Sequence, residues 1–230
     1  MLVNHSNPQW QRWHHRRFAG EVRGFSLTEL MVVMVILAAL LVAAAPIFMK
    51  SSTKARQASR ELLKGHLNRA RSHAIATQQA TAVLFANYNT GPEAGGKMLG
   101  IAEMKWEDDP NDAQPGAYEV KSVLQRWEKL PGSMMVMDQS SVGHHKPSIM
   151  DVDENFRVRL NRKDVDARAI IFSPSGQIVA PVDQAIEILL GAGNLTNGQV
   201  TATEKNGGKI SYDRLQINRL TGRARQTLAE

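Results

Sequence analysis

The sequence predicts an α+β protein: one long N-terminal helix, apolar in its first half, packed on a C-terminal antiparallel β-rich domain. Three observations carry that expectation. Leu30–Met49 is a run of 20 residues without a charged side chain. The stretch that follows keeps a helical spacing of small and apolar residues into the high seventies. Beyond it the pattern changes to short β-prone runs separated by Gly, Pro, Asn and Asp, the order of elements that marks an α+β chain.

The first residues are basic. Arg12, Arg16, Arg17 and Arg23 stand against Glu21 alone, and they precede the apolar run. At 1.5 Å per residue a 20-residue helix spans roughly 30 Å, the hydrocarbon thickness of a bilayer. The mean hydropathy of the whole chain is nonetheless −0.30, so this is a polar chain with one membrane-class segment. A secretory signal peptide would have a shorter apolar stretch and a small-x-small cleavage site. Ala43-Ala44-Ala45 could imitate that site, but Pro46 directly after it disfavours cutting there. A plain signal anchor is the other simple reading of hydrophobicity alone.

From Ser51 to about Thr77 there is no proline and a single glycine, Gly65. Ala55, Ala58, Leu62, Leu67, Ala70 and Ala74 fall at helical spacings. One helix from Ser26 to the high seventies is therefore expected, kinked at Pro46 and amphipathic in its second half. Lys50–Thr81 carries seven basic residues against Glu61, a solvated face or a footprint for anionic partners. The pI of about 9.7 originates in this helix and the leader. Residues 82–230 hold 17 basic and 19 acidic side chains and imply no general basic face.

Strands are expected at Thr81–Tyr88, Met98–Trp106, Met134–Met137, Phe156–Leu160, Ala169–Phe172, Gln177–Ala180, Ala185–Leu190 and Lys209–Asn218, with a last one after Leu220–Arg223. Tyr118–Trp127 reads as a strand or a short helix. Ser173-Pro-Ser-Gly176 has the turn chemistry of a hairpin tip, and residues 107–116 form an acidic loop.

The residues at the head of the apolar run are more specific than its hydrophobicity. Arg23-Gly24-Phe25-Ser26-Leu27-Thr28-Glu29-Leu30 resembles the prepilin-peptidase recognition sequence of the type IV pilin and pseudopilin superfamily. The resemblance implies cleavage after Gly24, N-methylation of Phe25, a glutamate at mature position five in Glu29, and a helix-bending proline in Pro46. It implies a leader over 1–24, a transmembrane and assembly helix over 25–49, an amphipathic continuation over 50–80 and a β-rich domain over 81–230. Glu29 is then the carboxylate that meets the N-terminal amine of a neighbouring subunit, since an ionisable group in an apolar helix calls for a partner.

Leu130-Pro-Gly132, Ile171-Phe-Ser-Pro-Ser-Gly176 and Ile217-Asn-Arg-Leu-Thr-Gly-Arg223 resemble C-terminal elements of GspH/FimT-type minor pseudopilins. The implied partners are prepilin peptidase, other pilins and the inner membrane, with the C-terminal domain in the periplasm. Charge alone leaves the orientation open, because Lys50, Lys54, Arg56, Arg60 and Lys64 crowd the far end of the run as the arginines crowd the near end. Two other classes remain open: a DNA-binding minor pilin using the basic helix or Arg214, Arg219, Arg223 and Arg225, and a membrane-anchored periplasmic binding domain without a filament. Nucleic acid is the less expected partner.

Catalytic signatures are missing from the sequence, which contains no nucleophile elbow, phosphate loop, zinc-protease helix or dinucleotide fingerprint. The chain has no cysteine, which excludes disulfides, thiolate metal sites and thiol nucleophiles. His144-His145, the pair His66 and His73, and Asp151-Val152-Asp153-Glu154 do not match metal-ligand spacing. No cofactor or metal is expected, and the chain reads as a substrate of processing enzymes rather than an enzyme.

Overall fold

The computed structural model describes residues 26–107, 117–160, 162–182 and 186–227, with the side chains of 41–52 and 206 left out. Helix α1 covers Leu27–Thr77. The chain divides into two compact units, Met1–Pro46 and Ile47–Glu230, so that α1 begins in the first and ends in the second. Pro46, where a bend is expected, stands within α1 at the boundary between the two units.

In the second unit thirteen strands follow: β1 (Thr81–Ala86), β2 (Met98–Glu107), β3 (Ala117–Lys129), β4 (Met134–Met137), β5 (Phe156–Leu160), β6 (Lys163–Phe172), β7 (Ile178–Ala180), β8 (Ile186–Thr196), β9 (Gln199–Ala202), β10 (Lys205–Asn206), β11 (Lys209–Ile210), β12 (Tyr212–Ile217) and β13 (Ala224–Thr227). They form two main antiparallel sheets. The first has the order β3-β2-β1-β6-β5, with β7 on β6; the second has the order β13-β12-β8-β4, with β9 on β8. A one-turn helix, α2 (Gln139–Val142), lies between β4 and β5.

Alternation within β1 sets the layers. Val83 and Phe85 face one side with Leu63, Leu67, Ala70 and Ala74 of α1, and with Ile188, Leu190 and Leu215 of the second sheet. Ala82 and Leu84 face the other side, with Met104, Phe156, Val158 and Ile171. The C-terminal half of α1 and both sheets thus share one core. The first sheet curls over a second core, and Trp127 Nε1 of β3 donates to the Arg159 carbonyl of β5 at 3.2 Å across the curl.

Two elements extend beyond expectation for readable reasons, and β3 settles a choice between two readings. β6 starts six residues earlier than Ala169, because its charged first half pairs with β5, setting Asp164 opposite Arg159 and Asp166 opposite Arg157. β8 runs on through Gly191 and Gly193, where a Cβ would come within 2.9 Å of Met137 Sδ and 2.7 Å of Met137 Cε respectively. Glycine here admits a methionine against the sheet rather than ending the strand. β3 is a strand, paired to β2 through several register shifts.

Candidate functional site: the N-terminal assembly segment

Helix α1 opens on a reciprocal cap. Ser26 Oγ accepts the Glu29 N–H at 3.2 Å, and Glu29 Oε2 accepts the Ser26 N–H at 3.1 Å. This is the Ser-x-x-Glu capping box, which satisfies two of the helix's orphan donors and puts a carboxylate at the positive end of its dipole. Glu29 therefore has a role within its own chain. The Ser-x-x-Glu spacing that makes this cap is local in the sequence.

Past the cap, Leu27, Leu30, Met31, Val32, Val33, Met34, Val35, Ile36, Leu37 and Leu40 are all exposed, from 46% at Val33 to 75% at Leu27. They surround the helix. A helix apolar on every side is a buried helix, within lipid or a bundle of other helices, and within this chain nothing described covers it. Among the described residues no helix is long and apolar enough to cross a membrane; the side chains of 41–49, the second half of the apolar run, lie outside them. Gly24 and Phe25 also lie outside the described residues, and Pro46 belongs to α1 with its side chain undescribed.

The other half of α1 is docked through its arginines. Arg56 donates to Glu204 Oε2 at 2.6 Å, to Ser211 Oγ at 2.9 Å and to the Ser211 carbonyl. Arg60 pairs with Asp213 at 3.5 Å. Arg69 donates to Gln125 Oε1 at 2.6 Å, and Arg71 to the Gly176 carbonyl at 3.3 Å. A solvated basic face, the simplest reading of these residues, is corrected in this respect: four arginines fasten the helix to the domain. Arg214 pairs with the buried Glu187 and Arg219 donates to the Pro181 carbonyl. A nucleic-acid footprint built on these arginines would have to compete with partners inside the protein.

Two of the weaker sequence elements meet here. Gly176, at the tip of Ser173–Gly176, and Gly222, in Leu220–Arg223, both have positive φ. A Cβ on Gly222 would lie 2.7 Å from the Gly176 carbonyl, 2.9 Å from Phe172 and 2.9 Å from Arg71. The turn, the closing element and the helix approach so closely that only glycine fits.

The family model of the prokaryotic N-terminal methylation motif matches residues 21–45. That span holds Gly24, Phe25, the Ser26–Glu29 cap and most of the uncovered apolar helix. The N-terminus carries the prokaryotic N-terminal methylation motif. No curated protein matches the chain. Two crystal structures of the type IV minor pilin FimU of Pseudomonas aeruginosa align with 77% and 75% of this chain and with 92% of theirs, at 16% and 17% identity and a TM-score of 0.38 in both cases.

The methylation motif stands ahead of an antiparallel sheet domain. The titratable loops have structural duties. Asp151 Oδ2 accepts from the backbone N–H groups of Ser148 and Gln139, at 2.7 and 2.8 Å, closing a capping box and tying α2 to the following turn. Desolvation lowers the Arg168 guanidinium pKa, opposed by Asp153, Asp151 and Asp166, and burial raises that of the Glu154 carboxyl. His66 lies 3.0 Å from the Leu62 carbonyl and 3.6 Å from Glu128, and His73 lies 3.2 Å from Thr81 Oγ1. No group of three or more potential metal ligands occurs among the described residues. The acidic residues 108–116 lie outside them.

Proposed function

We propose that the chain is a minor pilin or pseudopilin, a structural subunit of a type IV pilus-like filament or of a type II secretion system. In this reading prepilin peptidase removes residues 1–24 and methylates Phe25. The helix over 25–49 holds the subunit in the inner membrane and later packs among other pilin helices. Residues 50–80 continue that helix into the domain formed by 81–230, which sits in the periplasm.

The observation that carries this is the uncovered apolar helix of Leu27–Leu40 inside a methylation motif. Burying such a side chain is worth about 1.5–3 kcal/mol, so a helix with ten of them uncovered gains most by finding lipid or like helices. Glu29 fits both stages. In the free chain it caps its own helix; in a bundle its carboxylate neutralises the amine that cleavage creates at a neighbour's Phe25. Pro46 lies where a change of helix direction would separate the packing half from the domain half.

The test is N-terminal mass spectrometry of the chain co-expressed with a prepilin peptidase. The expected product begins with N-methylated Phe25. An intact Met1, or a terminus near Pro46, would overturn the reading.

A further inference from the structure

The outer face of the second sheet holds a charged cluster that the assembly function does not use. Glu187 on β8 is fully buried. Its Oε2 lies 2.8 Å from His144 Nε2 and 3.5 Å from Arg214 Nε, and its Oε1 lies 3.9 Å from Lys146 Nζ. His144 Nδ1 lies 3.2 Å from the Tyr212 hydroxyl. Gly143, His144, His145, Lys146, Tyr212 and Arg214 line a cleft of about 400 Å³ beside this carboxylate, within the size range of small-ligand sites.

We propose that this cleft binds a carboxylate group presented by an acidic peptide segment of a partner protein. The donors outnumber the acceptors. One buried carboxylate faces two permanent cations and a histidine, and only His144 reaches it at hydrogen-bond length. Arg214 and Lys146 make ion pairs beyond that length and keep their remaining N–H groups for an acceptor in the cleft. With both histidines neutral, Lys146 and Arg214 against Glu187 leave a charge of +1. That suits a monoanionic carboxylate better than a phosphate monoester, which carries about −1.5 to −2 at neutral pH.

The cleft is also held in shape before any ligand arrives. Gly143 caps α2 in the left-handed conformation, at φ +67°. The Ser148–Asp151 capping box fixes the next turn, and a backbone bridge joins Ser148 to Glu187. Pre-set geometry of this kind lowers the ordering cost of binding. The domain around it is mildly acidic, so attraction of acidic peptides elsewhere on residues 82–230 is weak. The inference stands whether or not the chain enters a filament.

The test uses the full chain in a zwitterionic detergent and a fluorescein-labelled hexaglutamate peptide, with binding read by anisotropy at low salt. Saturable binding is expected, weakened about tenfold by Arg214→Gln and about threefold by the rim variant Lys146→Gln. The distant Lys163→Gln leaves it unchanged. Lys146 is 55% exposed, so its variant keeps the fold even where Arg214→Gln does not. Glu187→Gln removes the competing carboxylate and tightens the peptide's binding. Failure to saturate, or equal weakening by Lys163→Gln and Lys146→Gln, overturns the proposal. Inorganic phosphate binding in place of the peptide also overturns it, reassigning the cleft to free phosphate.

Discussion

The two halves of α1 share one backbone and opposite fates. Over 54–77 the helix has a dry stripe in Leu63, Leu67, Ala70 and Ala74, and arginines that end on acceptors in the domain. Over 27–40 its ten large apolar side chains are all exposed, from 46% to 75%. The presence of apolar residues alone does not separate the two halves. What separates them is segregation: the second half places polar residues on one side and apolar ones on the other, which is the condition for lying on a sheet domain, whereas the first is apolar all round and can be satisfied only by something that surrounds it.

That contrast can be broken at several points. The largest effect is expected from Glu29→Ala, scored against Thr28→Ala in the filament fraction of cells expressing the rest of the assembly. Glu29→Ala loses both the cap and the proposed intersubunit charge partner, so incorporation falls to background while Thr28→Ala still enters. Equal incorporation of the two would remove Glu29 from assembly. Next comes a matched pair of leucines. Leu67→Ala, in the buried stripe, is expected to cost about 2–5 kcal/mol in urea melts of detergent-solubilised chain. Leu37→Ala, in the uncovered half, should stay within about 0.5 kcal/mol. A comparable loss for Leu37→Ala would mean that the first half is covered within the chain after all.

Gly222→Ala probes the meeting of helix, turn and closing element. A positive φ together with three contacts below 3.0 Å predicts a loss of about 1–3 kcal/mol, visible as an early thermal transition of the domain. Arg56→Gln should cost about 1–2 kcal/mol, since its acceptors are a carboxylate, a hydroxyl and a carbonyl. Part of that cost should disappear in high salt.

The smallest effect concerns Tyr88, whose hydroxyl donates to the Val136 carbonyl at 3.0 Å. Desolvation, with the carboxylates of Asp138 and Asp151, pushes the phenol above its ordinary value of 10.0. The folded chain therefore holds this proton longer than the unfolded one. Its contribution is complete below pH 10 and is lost as the pH climbs above that value. Urea midpoints in alkaline buffer should fall more steeply for the wild type than for Tyr88→Phe.

Much of this arrangement was readable in the residues. The extent of α1, the strands at 98–107, 134–137 and 156–160, and the hairpin at 173–176 follow from periodicity and turn chemistry, which act over a few positions. What could not be read is contact over distance. Nothing near Arg56 announces Glu204 or Ser211, and nothing near Glu187 announces His144. Glu187 looked like an ordinary polar residue in a strand, because its burial depends on the 138–152 segment folding over that face. The charged half of β6 is illegible for the same reason: Asp164 and Asp166 look like loop residues until Arg159 and Arg157 stand opposite. The Ser26–Glu29 cap, by contrast, was fully local and could have been named from sequence.

The curl of the first sheet has a consequence for the proposed assembly. Its outermost strands, β3 and β5, approach each other at Trp127 and Arg159, and β3 carries Glu119, Lys121, Arg126, Glu128 and Lys129 along its length. Flat, bare strand borders invite uncontrolled lateral stacking of identical molecules, and curling and charging them are the usual defences. If molecules crowd together through their apolar helices as proposed, their sheets are thereby discouraged from sticking, and growth would keep a single axis.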